Sequence, residues 1–73
     1  MVQNKVDVKN KLIKEKRKLD EKLLGLNNFI RGVDFMKMSN TQKALLQQQS
    51  RVMDDYSIIL RNRIVDITSQ ETE

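Results

Sequence analysis

The sequence predicts an all-α chain, an antiparallel two-helix hairpin that assembles into a helical-bundle homo-oligomer. Three observations carry this reading. Pro is absent and Gly occurs twice in 73 residues, so long helices meet few obstacles. Apolar residues recur at helical spacing on both sides of one short connector. The chain has no Cys and no His, which excludes disulfides and the commoner zinc sites. A core this small usually needs such a support, and association is the one left.

The whole chain, 1–73, reads as a single domain. Leu12, Leu19, Leu23, Leu26 and Ile30 recur at steps of seven, four, three and four, a stripe along one helix face. Helix 1 is therefore expected from about residue 6 to 31. Gly32 stands just past its end, where a left-handed cap suits glycine. Residues 32–38 form the connector, and Phe35, Met36 and Met38 make it apolar enough to fold back on the helix ends. Ser39-Asn40-Thr41-Gln42 matches the capping box that starts a helix, so helix 2 is expected from 39 to about 68. The polar tail 69–73 is expected to fray.

The two helices differ in how much of their circumference is apolar. Helix 1 carries a narrow arc. On helix 2, Leu45, Val52 and Ile59 form one row and Leu46, Met53, Leu60 and Ile67 the next, together spanning roughly 140°. One narrow helix leaves part of that arc wet, and a four-helix or larger assembly covers it. The expected interface between copies is Leu45, Leu46, Val52, Met53, Ile59, Leu60 and Ile64. Ile58 and Val65 add apolar surface on the opposite side.

Charge and composition narrow the function. Net charge is +4, and residues 1–30 hold eight Lys/Arg against four Asp/Glu while residues 31–73 hold six against six. The excess lies in the first half, where Lys11, Lys14, Lys18 and Lys22 form a stripe. Such a stripe can grip phosphates without reading base sequence. It can equally be a solvated face with Lys11–Glu15, Lys16–Asp20 and Arg17–Glu21 at supporting spacing. Without His or Cys, and without a Gly-rich phosphate loop, no nucleophile–base pair suggests itself. Asp54 and Asp55 are adjacent on a helix and point about 100° apart. The chain is expected to be no enzyme and to use no cofactor or metal.

Gln49, Tyr56 and Arg63 repeat every seven residues where leucine would be expected. Polar groups at a helix seam are best attested as devices that fix register or oligomer state. In an oligomer they could also converge into a ligand site, Arg63 holding phosphate or carboxylate and Tyr56 offering a stacking face. Gly25, beside Asn27 and Asn28, could mark a close helix contact, a slight kink, or simple tolerance. The apolar run Ile58-Ile59-Leu60 is far too short to span a membrane. Lys5, Asp7, Lys9 and Lys11 interrupt the N-terminus before a signal sequence could form, so a soluble, cytoplasmic protein is expected.

The spacing of Phe29-Ile30, Phe35, Met38-Ser39, Gln42, Leu45-Leu46, Gln49, Met53, Tyr56, Ile59-Leu60 and Arg63-Ile64 resembles small helical-hairpin accessory proteins of tailed bacteriophages. The resemblance covers roughly residues 19–64, and the Lys-rich start is more basic than that group's pattern. It implies an origin, and with it the bacterial host cytoplasm, but no mechanism. In that setting the leading expectation is a non-enzymatic binding protein that counters a host system by blocking a host factor or sequestering a small anionic, nucleotide-like ligand. Two other readings stand beside it: nucleic-acid binding through the lysine stripe, and an assembly adaptor docking on a larger protein.

Overall fold

The computed structural model describes residues 5–71. It is all-α, with α1 (Lys5–Ile30), α2 (Val33–Met36) and α3 (Asn40–Glu71) and no strand among the described residues. The expected tail residues 72 and 73 lie outside that range. At 1.5 Å per residue, α1 and α3 are rods of about 39 and 48 Å. They pack on each other and give a molecule of 52 × 22 × 14 Å with a radius of gyration of 16.4 Å. A compact domain of this length would have a radius near 11 Å. The chain is long and thin, and two rods side by side cannot enclose much.

The contacts between the rods follow one register. Asn27 meets Ser50 and Asp20 meets Ser57, so seven steps back along α1 match seven steps forward along α3. The same register places Thr68 level with Lys9. Leu12 and Leu60 are buried from opposite rods, at 4% and 0% exposure. Leu19, Leu23, Leu26 and Ile30 line the packed side of α1 at intermediate depth, and Leu46, Met53, Ile64 and Ile67 do so on α3.

The connector departs from a plain turn. Its apolar residues wind into one helical turn, α2, which buries Phe35 edge-on against Phe29, with ring centroids 6.5 Å apart and planes at 86°. Edge-to-face is the favoured aromatic geometry. Met36 stays outside at 72% exposure. The expected left-handed cap at Gly32 is overturned: Gly32 has φ −93° and ψ 174°, and no residue has a positive φ among those described. The end of α1 tightens, with the Gly32 N–H donating to the Phe29 carbonyl at 3.0 Å. The chain then runs through an extended Gly32 straight into α2, which leaves no room for a reversing cap.

The start of α3 shows the serine half of the expected capping box. Ser39 Oγ accepts the Gln42 N–H at 3.1 Å, and the Ser39 carbonyl accepts the Lys43 N–H at 3.0 Å. At the other end α3 runs past the expected Thr68 to Glu71. Thr68 Oγ1 donates to the Ile64 carbonyl at 2.8 Å and Gln70 Nε2 to Asp66 at 3.0 Å, so side chains hold the last turns. Gly25 marks no close contact, since nothing would lie within 4 Å of an added Cβ.

Candidate functional site

The seam between the rods carries its own polar chemistry, and it is not the heptad row that the sequence points to. Ser50 donates to Asn27 Oδ1 at 2.5 Å, and buried Ser57 donates to Asp20 Oδ1 at 2.5 Å. Lys16 Nζ closes on Asp20 Oδ2 at 2.7 Å from the preceding turn. Lys16 and Ser57 together hold the Asp20 carboxyl below its usual value of 3.8, with the lysine the larger cause. Serine is small enough to let the rods approach, and its hydroxyl is satisfied across the gap. These contacts fix register in the way expected of Gln49, Tyr56 and Arg63.

Gln49, Tyr56 and Arg63 are instead exposed, as one flank of α3 beyond the seam. Tyr56 is 42% exposed and its hydroxyl donates to a carboxylate oxygen of Glu15. That bond tethers the ring at its tip while leaving ring surface open to solvent. Gln49 Nε2 reaches Met53 Sδ at 3.8 Å. Arg63 borders a shallow groove of about 540 Å³ shared with Ile59, Asn62, Asp66 and Ile67.

The Tyr56–Glu15 bond also orients the lysines. Lys11, Lys18 and Lys22 lie four, three and seven residues from Glu15, the spacings of one helix side. They therefore stand on the side of the molecule that Tyr56 and Arg63 occupy. Lys14 lies just behind them, and all four lysines are exposed. Helical spacing thus puts two separately predicted groups on one side of the molecule. A row of half-exposed aliphatics, Leu45, Val52 and Ile59 at 51, 59 and 54%, runs along the same flank.

The other expected interface residues divide. Leu46, Met53 and Ile64 face α1 at intermediate depth, and Leu60, expected between copies, is completely enclosed by its own chain. It lies where α1 already supplies the partner surface. On the flank opposite Tyr56, a second groove of about 580 Å³ opens between the rods. Ile13, Leu24 and Val65 line it and remain exposed there, with Arg17, Glu21 and Arg61 around them. Sequence reasoning placed Val65 on this side without singling out the groove. Its signal was present in the spacing of Ile13 and Leu24, just outside the leucine stripe.

No helix among the described residues is long and apolar enough to cross a membrane. Neither a curated protein nor a solved structure matches the chain. A family model described as Sequestin matches residues 6–66, which spans Tyr56, Arg63 and the lining of both grooves except Ile67. By that match the chain belongs to the Sequestin family.

Proposed function

We propose that this is a phage-encoded, non-enzymatic sequestering protein, an antiparallel helical hairpin whose copies associate and withdraw a small anionic, nucleotide-like ligand from a host system. The family's name supports sequestration. The observation that carries the ligand class is the shared flank: a tethered aromatic ring, a guanidinium seven residues further on, and lysines from the facing rod. Tyr56 offers a base its ring surface, Arg63 offers a phosphate two parallel donors, and Lys18 and Lys22 add positive potential. Gln49 supplies a neutral amide for hydrogen bonding.

On a single hairpin this flank is open, and a ligand held there would stay largely hydrated. A second hairpin laid over Leu45, Val52 and Ile59 would exclude water and strengthen each charged contact. Sequestration without chemistry needs tight holding, and that argues for an assembly.

Native mass spectrometry of protein expressed in bacteria tests both parts, reporting subunit number and any bound small molecule together. Titration calorimetry with a mononucleotide, a dinucleotide and inorganic phosphate then fixes the class. Arg63→Ala should weaken nucleotide binding about tenfold or more with the assembly intact. Unchanged nucleotide binding by the Arg63 variant would remove the proposed site.

The exposure of Lys11, Lys14, Lys18 and Lys22 favours a second reading, sequence-independent nucleic-acid binding. Gel shifts at two ionic strengths decide it. Binding should fall steeply with salt, and no shift at low salt ends that reading.

A further inference from the structure

The groove opposite Tyr56 has a pattern that reads the same in both directions. Ile13, Arg17, Glu21 and Leu24 follow at steps of four, four and three, one outward face of α1, and all four line the groove. In order they are apolar, cationic, anionic, apolar. Turn the helix end over end and apolar falls on apolar while cation falls on anion. A surface with this property is complementary to itself, which is what a two-fold interface requires.

We infer that two copies pair through this face with their α1 helices antiparallel about an axis near residues 18 and 19. This rests on the reading above that the hairpins associate, and it adds a second contact on the face opposite Leu45, Val52 and Ile59. Ile13 of each copy meets Leu24 of the other. Arg17 of each meets Glu21 of the other, and the pair occurs twice by symmetry. Leu24 of the second copy enters the groove floored by Ile13, Ile64 and Val65. Leu24 is 63% exposed and Val65 57% within one chain, so both have area to bury.

The charges point the same way. Arg17 and Glu21 have the spacing for an ion pair within the helix, as Lys16 and Asp20 do one residue earlier. Lys16 and Asp20 close at 2.7 Å, whereas Arg17 and Glu21 make no ion pair among the described residues. Both remain available to another copy. The pairing leaves the Tyr56 flank free, so each dimer would present two such flanks for further copies to cover.

The test uses the chain's lack of cysteine. In an Ile13→Cys/Leu24→Cys variant the two thiols of one chain are about 16 Å apart along α1, too far to bridge. Oxidation should therefore give a covalent dimer on a denaturing gel. In parallel, light scattering follows mass against concentration. Arg17→Glu alone should shift dissociation to at least about tenfold higher protein concentration, and adding Glu21→Arg should restore it. Circular dichroism confirms that these exposed substitutions leave the helices formed. An oligomer whose mass ignores Arg17→Glu and whose cysteine variant gives no covalent dimer overturns this interface while leaving association standing. A wild-type chain that stays monomeric at high concentration overturns both.

Discussion

Two rows on α3 look alike in sequence and meet opposite fates. Leu46, Met53, Leu60 and Ile67 face α1 and are half-buried or enclosed, whereas Leu45, Val52 and Ile59, one position earlier each time, stay more than half exposed. Both rows are aliphatic and both repeat every seven residues. A single residue step turns a side chain by 100°, and α1 is narrow enough that this decides between shelter and water. Apolarity alone therefore does not define the core of a two-rod molecule. The width of the only available neighbour does.

The largest expected effect separates the two rows directly. Leu60→Ala should cost about 2–5 kcal/mol, the range for a fully buried leucine, and in a domain this small that threatens folding itself. Ile59→Ala should cost under about 1 kcal/mol in a dilute, monomeric sample. Urea titrations of both variants make the measurement. A Leu60 variant as stable as the Ile59 variant would mean that the rods do not pack in this rotation. If Ile59→Ala instead lowers stability only at high protein concentration, the exposed row is covered by a neighbouring copy.

A middle-sized effect concerns Ser39, which caps the rod carrying both rows. Ser39→Ala removes the acceptor for the Gln42 N–H and should cost about 1 kcal/mol. Thermal melts followed by circular dichroism at 222 nm would register it as a lower midpoint. Hydrogen exchange should show the loss concentrated at residues 40–43. Uniform loss along α3 would argue that the cap is not the local anchor described.

How much of this was legible follows from the same comparison. The two long rods, the leucine stripe of α1 and the Ser39 start came through because each depends on residues close in sequence. The rotation of α3 did not. Its inner row contains Ser50 and Ser57, which do not register as core residues. A reading weighted by apolarity therefore turned the helix toward Leu45, Val52 and Ile59. Gln49, Tyr56 and Arg63 flank the seam of their own chain, and heptad spacing alone does not tell that seam from one facing a neighbouring copy. Ser57 and Asp20 are 37 positions apart, and no local pattern announces their contact. Gly32 misled for a different reason. Glycine permits a left-handed turn without requiring one, and the neighbouring apolar residues chose to continue into α2. The alignment of Tyr56 and Arg63 with the lysine side of α1 needed both the rotation and the register, so it emerged only in three dimensions.

A smaller effect of opposite sign comes from Gly25. It lies mid-helix and exposed, with space around its Cα. Gly25→Ala should stabilise the chain by about 0.5–1 kcal/mol, since alanine loses less freedom on forming helix. The same change at Gly32 should give less, because an added Cβ there meets the Phe29 carbonyl at 3.4 Å and gains no helix propensity. Paired thermal melts compare the two. Destabilisation by Gly25→Ala would reveal a close approach at that point from another copy.

The smallest effect tests whether the sheltered seam persists in solution. Asp20 accepts from Lys16 and from Ser57, and both donors favour its charged form, so its folded value lies below the ordinary 3.8. A group whose value is lowered by folding stabilises the fold at pH above its unfolded value. That contribution is lost as pH falls through the lowered folded value. The side chain is 44% exposed, so solvent screens the interaction and the loss should be slight. Acid titration followed by carboxyl NMR should find Asp20 ionising below 3.8 in the wild type and closer to it in Ser57→Ala, where one donor is gone. If Asp20 titrates at or above 3.8 in both proteins, the Lys16 and Ser57 contacts are too transient to hold register.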